Sequence, residues 1–438
     1  MSRASDWMRI DVRLGYLFVP QSKGGAEQMT KGNWNCPFRF RYNGSNLENN
    51  LGDLKRRVLD EVEAHRAELV DLSLKIHAHP ELGLQEAKAS AWLAEYLESQ
   101  GFVVERGVCE LPTALKATYG HGAPVIAFIA EYDALPELGH ACGHNVIAAA
   151  AAGAAVAMRP AIDQLGGSVV VIGSPSEEVH GCKETLVKRG AFAGVDAAMM
   201  IHPGTRNIVA APALACWPLE VEFFGKAAHA AANPDEGVNA LEALIMAFNA
   251  INSLRQHVRV SSRIHGIIIK GGEAPNIVPA YSKAHFLVRA EDEQYLAELK
   301  EKVLNCFVAA SLATGARLEY RWGEVAYAPL RSNPTLSQLF ARNLESLGRE
   351  IHASDRQRGV GSTDMGNVSQ VVPSLHPFVA IAPPGVLEHS PEFAAAAASE
   401  AGHQGLLDGA KALALTGMDL LASRDLLDGV KADFLKMK

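Results

Sequence analysis

The chain has 438 residues, 48% of them hydrophobic and 21% charged, with a net charge of −8. That length allows two or three domains, and the balance is ordinary for a globular protein. The acidic balance gives no footprint for nucleic acid, and no apolar run approaches the ~18 or more residues of a membrane helix.

Residues 1–50 differ from the rest. They are rich in Arg, Asn, Gly and Gln, with one short apolar patch at 14–19. The patch is too short for the core of a signal peptide. The segment reads as an atypical, poorly ordered extension, or as a translation start placed too early. The six cysteines (36, 109, 142, 182, 216, 306) are scattered, with no C-x-x-C pair, which points to a reducing, cytoplasmic setting.

The confident fold begins near residue 51. Leu54, Val58, Val62, Leu69, Leu72 and Ile76 have helical spacing over 53–79. A second helix is predicted over 86–100, stopped by Gly101. Short apolar runs at 125–130, 168–173 and 196–201 then alternate with a helix at 146–158 and a segment at 182–192. This alternation predicts a mostly parallel sheet covered by helices. Near Trp217 the pattern changes to a half-exposed strand at 219–224. A helix (236–256), two strands (262–270, 281–290), a helix (292–313) and a strand (316–322) follow. The order β-α-β-β-α-β predicts a ferredoxin-like insert. Beyond residue 330 come a helix at 334–347, a glycine-rich loop at 359–366, a buried strand at 377–382 and a last helix at 399–422. The predicted division is 1–50 extension, 51–217 first part of the α/β domain, 218–329 insert, 330–438 second part.

Polar motifs follow the apolar runs. The first is Asp133 to His144, with His140-Ala141-Cys142-Gly143-His144-Asn145. The second is Ser176-Glu177-Glu178, and the third is His202-Pro203-Gly204. Leu387-Glu388-His389-Ser390 lies just past the fourth run. Sites in open α/β sheets form at the carboxyl ends of strands, so these four loops are expected at one edge. Cys142 and His144, two apart, can grip one ion or two adjacent ones. Glu177 and Glu178 point opposite ways in an extended backbone, so one can bind metal while its neighbour moves protons. His140 is a further candidate ligand. Asp133 is either a ligand or the group that holds an imidazole in one tautomer.

Seven motifs in order give the chain its resemblance. They are His79-Pro80-Glu81-Leu82-Gly83, the 133–145 segment, Ser176-Glu177-Glu178, Ile201-His202-Pro203, Gly225-Lys226-Ala227-Ala228-His229, Gly271-Gly272 with Asn276-Ile277-Val278-Pro279, and Gly361-Ser362-Thr363-Asp364-Met365-Gly366-Asn367-Val368-Ser369. Over residues 51–425 they resemble metallopeptidase family twenty, the aminoacylase and carboxypeptidase type, in its amidohydrolase branch. The last motif resembles the sub-branch of dipeptidases and aminobenzoyl-glutamate hydrolases. The resemblance implies a zinc-peptidase-like α/β catalytic domain, its mostly parallel sheet covered on both faces, interrupted by a smaller ferredoxin-like α+β lid and dimerisation domain. It implies Cys142, His144, Glu178, His202 and His389 as ligands of Mn²⁺ or Zn²⁺, with Glu177 as general base. His229 would reach a partner subunit's site and steady the oxyanion. Asn276 and Arg289 would bind a substrate carboxylate. The wider family has H-x-D where this chain has Glu131-Tyr132-Asp133. The missing histidine favours one firmly held ion with a weaker second. The activity implied is hydrolysis of a C–N bond by metal-activated water, with a dipeptide or an N-acyl or N-aroyl amino acid as the leading substrate, in a homodimer or higher homo-oligomer. The alternative is release of ammonia from an activated aromatic amine such as a nitroanthranilate. A metal-binding scaffold without turnover conflicts with the retention of Glu177.

Overall fold

The computed structural model describes residues 8–9, 45–354 and 361–438. The extension expected over 1–50 therefore falls almost wholly outside the described residues. Helix begins at Ser45, not near 51.

The larger sheet has six strands in the order Ser374–Leu375, Ala197–Met199, Val125–Glu131, Gly167–Ser174, Leu115–His121, Val103–Arg106. The first three junctions are parallel and the last two antiparallel. The two central strands are apolar on both faces because helices cover both sides. All eight residues of Gly167–Ser174 are buried, and so is all of Val125–Glu131 except its first. Their register runs from Val125 opposite Ser168 to Glu131 opposite Ser174. The two strands thus end in step and deliver their following loops side by side.

The antiparallel strands Val103–Arg106 and Leu115–His121 carry no sequence expectation. The first is largely exposed and the second is interrupted by polar residues, so neither makes an apolar run. The helix expected over 53–79 is two helices, Ser45–Ala64 and Arg66–Ala78, separated at His65, whose φ of −94° and ψ of 7° leave the helical range.

The helix His144–Ala157 is buried along its whole length. Alanine makes this possible, since small side chains let neighbouring helices approach on every side. At Gly153 a Cβ would lie 2.7 Å from Leu69 Cδ1 and 3.3 Å from Ala410 Cβ. Arg66–Ala78 and Glu400–Ala422 occupy those flanks. His144–Leu165 is long and apolar enough to cross a membrane, contrary to the expectation of no such run. With 94% of its most apolar stretch buried in the protein, it is a core helix.

The smaller sheet has the order Met8–Arg9, Arg317–Trp322, Ala215–Phe224, Tyr281–Ala290, Arg263–Lys270, antiparallel throughout. Helices Ala240–Leu254 and Glu293–Thr314 pack on it in a separate apolar core. Asn239 and Asp292 cap these helices by accepting from Glu242 N and Tyr295 N. Apart from the short strand at 8–9, this is the ferredoxin-like order expected. At its root, Cys216 and Tyr327 exchange two backbone hydrogen bonds of 2.9 Å.

The buried strand expected over 377–382 forms only at Phe378–Ala380. It pairs in parallel with His202–Gly204, which is separate from Ala197–Met199. A last helix, Arg424–Met437, capped by Ser423, was not expected.

Candidate functional site

The loops after the parallel strands meet at one edge of the larger sheet. Asp133, buried just beyond Val125–Glu131, has both oxygens engaged. Oδ1 lies 2.8 Å from His144 Nδ1, and Oδ2 accepts from Glu178 N at 3.0 Å. It therefore orients one imidazole and ties the Glu178 peptide to it, in keeping with the second of its two expected roles. His202 Nδ1 donates to Pro203 O at 2.7 Å, turning Nε2 toward Cys142 Sγ at 3.4 Å. Gly143, at φ 79°, makes the turn between Cys142 and His144. A Cβ there would meet Pro203 Cγ at 2.8 Å, so only glycine allows the two loops this approach.

Six of the expected residues converge. Cys142, His144 and His202 offer donor atoms within 4.8 Å of one another, and so do Cys142, Glu178 and His389, and His144, Glu177 and Glu178. His144 Nε2 lies 3.8 Å from Glu178 Oε1, and His389 Nε2 lies 3.7 Å from the same oxygen. Both Glu178 Oε1 and His144 Nε2 are buried without a hydrogen-bond partner among the described residues. Buried polar atoms are seldom left so. His140, buried against His77, stands outside these groups. Burial takes its pKa down to about 3, so it is a neutral neighbour.

The electrostatics follow from burial and crowding. Burial, with the charges of Glu131, Asp364 and Glu178, pushes the Glu177 carboxyl well above the usual range. Burial likewise raises the Cys142 thiol. Burial opposes charge on His144, but Asp133 and Cys142 overcome it and raise its pKa well above the ordinary value.

Three residues absent from the sequence expectations for the site, Lys183, Asp364 and Glu86, support it. Lys183 is fully buried, and its Nζ donates to Glu131 Oε1 at 2.5 Å and Asp364 Oδ1 at 2.6 Å. Its backbone N donates to Asp364 Oδ2 at 3.0 Å. Glu86, also buried, accepts from Leu84 N and Ser176 N through Oε1 and from Thr113 Oγ1 through Oε2. This fastens Ser176, which holds φ at 54°, an uncommon conformation for a residue other than glycine. His389 shares that conformation at φ 60°. Glu86→Ala strands buried donors and releases Ser176. We expect a loss of about 3 kcal/mol in chemical denaturation, with turnover falling because the Glu177 peptide is no longer fixed. Unchanged stability and turnover would remove Glu86 from this role.

The remaining expected residues lie on the smaller sheet's loops and strands. His229 and Asn276 are exposed neighbours, joined by a hydrogen bond from Ala230 N to Asn276 O. His229 Nδ1 accepts from Ala231 N and Ala232 N, which leaves Nε2 as the donor facing outward. Arg289 pairs in register with Cys216, and its Nε is buried without a hydrogen-bond partner among the described residues. No hydrogen bond or ion pair among the described residues joins these three to the cluster.

Residues 217–313 match the peptidase dimerisation domain of family M20. The chain is 38% identical to the Xaa-Arg dipeptidase of Mus musculus, over 87% of this chain and 92% of that protein. The chain belongs to metallopeptidase family twenty. A second member, a p-aminobenzoyl-glutamate hydrolase component from Escherichia coli, is 30% identical over 86% of this chain and 94% of its own. A dinuclear metal binding peptidase of the family from Bacillus subtilis superposes with a TM-score of 0.65 at 19% identity, covering 82% of this chain and 99% of that one. This family-twenty chain is thus an enzyme acting on C–N bonds, with the family's α/β fold.

Proposed function

We propose that the chain is a metal-dependent amide hydrolase of small, carboxylate-bearing substrates, a dipeptide or an N-acyl or N-aroyl amino acid. The observation that carries this is the convergence of Cys142, His144, Glu178, His202 and His389 around two orphaned buried atoms, beside Glu177. A cation is what those atoms lack. A thiolate, imidazoles and a carboxylate together suit Mn²⁺ or Zn²⁺. Three overlapping donor groups lie together here, so the residues would offer room for a second, weaker ion beside the one expected to be firmly held.

When bound, the metal supplies Lewis acidity at the scissile carbonyl and lowers the pKa of water. The chain supplies the rest. Glu177, destabilised as an anion by burial and its carboxylate neighbours, takes the proton of the attacking water and returns it to the departing nitrogen. Asp133 holds His144 and the Glu178 peptide in register. His229, donating through Nε2, steadies the oxyanion in a partner subunit, and Asn276 and Arg289 bind the substrate carboxylate. The match of 217–313 to a dimerisation domain supports a homodimer, with the chain divided at 218 and 329 into lid and catalytic parts. Five described cysteines are free, which supports a reducing, cytoplasmic location.

A panel of dipeptides and aroyl amino acids, run beside aminobenzoates and nitroanthranilate, tests the reading. The expected result is a new free amino group from an amide substrate. Ammonia from an aryl amine with no amide cleaved would replace this reading with the aminohydrolase alternative.

A further inference from the structure

Lys183 is a charged group without access to water. Taking an ammonium out of water costs several kcal/mol unless partners compensate. Here they are Glu131 and Asp364, both buried, at 2.5 and 2.6 Å. Two carboxylates against one ammonium leave the triad one unit negative. Packing alone does not call for this arrangement, since apolar replacements of a buried ionic triad are often neutral or stabilising.

The triad's position suggests its use. Glu131 uses Oε1 for Lys183, while its Oε2 lies 3.4 Å from His144 Nε2. That nitrogen is the orphaned atom facing the donor cluster. Glu131 therefore borders the cation space with a carboxylate that would ligate a divalent ion if it could turn. The lysine fixes it from behind, and Asp364 fixes the lysine through both its side chain and its backbone.

We propose that Lys183 is a built-in counter-cation of the metal centre: its ammonium holds Glu131 out of the ligand set and limits how tightly divalent ions are retained. This rests on the metal-centre reading given above. Lys183 acts through Glu131 and touches no reacting atom, so it is a positioning residue.

The test is titration of Mn²⁺ and Zn²⁺ into the chelator-stripped full chain by calorimetry, with metal content after dialysis and circular dichroism as a check of folding. Lys183→Met makes the triad one unit more negative and frees Glu131. It should bind at least tenfold tighter or keep an additional equivalent of metal. Lys183→Arg and the double variant Glu131→Gln/Lys183→Met keep the original net charge and should stay within about threefold of wild type. The double variant leaves only Asp364 buried without its ammonium, so it remains informative if Lys183→Met does not fold. A merely structural lysine predicts equal or weaker binding in folded Lys183→Met, and that result overturns the proposal. So does a loss beyond tenfold in the double variant, which would make Glu131 a ligand. A wild-type chain that binds neither ion overturns the metal-centre reading itself, a different failure from wild-type binding that Lys183→Met leaves unchanged.

Discussion

Glu177→Gln should reduce turnover by a factor of about a thousand or more while the protein keeps its metal. The substitution preserves shape and removes only the capacity to accept and return a proton, and general base catalysis typically contributes ~10² to 10⁴ in rate. The adjacent residue should behave in the opposite way. Glu178 presents Oε1 to both His144 and His389, so Glu178→Gln should release metal and lose activity as a consequence. Steady-state rates paired with metal content by atomic emission separate the two. If Glu177→Gln kept more than a few per cent of the rate, proton transfer would belong to another group. If both variants lost metal equally, the division of labour between the neighbouring glutamates would be wrong.

Stripping the metal should abolish turnover, and adding back Mn²⁺ or Zn²⁺ should restore it. The same treatment should lower thermal stability. Without a cation, the charges of Glu131, Asp364 and Glu178 bear on the Glu177 carboxylate, with Lys183 as the buried ammonium between Glu131 and Asp364. A ligand that binds only the native state stabilises it by about 4 kcal/mol at a thousandfold excess over Kd, enough to move Tm by several degrees. Metal retention should also weaken as pH falls. Ligands must be deprotonated to bind, and burial raises the Cys142 thiol while Asp133 and Cys142 raise His144. Calorimetric scans of stripped and reloaded protein over a pH series check both points. A stripped protein with full activity and an unchanged Tm would refute the metal-centre reading.

Much of this arrangement was legible in the sequence because it rests on strong, local signals. The central strands are apolar on both faces, so they stand out as runs. The rule that sites gather at strand carboxyl ends then brings together Cys142, His144, Glu178, His202 and His389, although the loops are far apart in the chain. The ferredoxin-like order was legible from the alternating strand before Phe224 and the two long helices. What escaped detection has physical reasons too. Val103–Arg106 is an exposed edge strand whose partner supplies its order. The break at His65 has neither proline nor glycine to announce it. Lys183 sits at the start of a short helix, where a lysine ordinarily faces solvent. Only the tertiary approach of Glu131 and Asp364 makes it a core residue. Glu86 was hidden in the same way, since most of its partners are donors that any backbone possesses.

Tyr327 does two things at once. Its backbone is paired with Cys216, where the chain enters and leaves the smaller sheet, and its hydroxyl donates to Glu177 O at 3.0 Å. Any swing of that sheet about the two crossings would pull on the Glu177 peptide. With the role proposed for Glu177, substrate capture and chemical readiness would share one mechanical linkage through Tyr327.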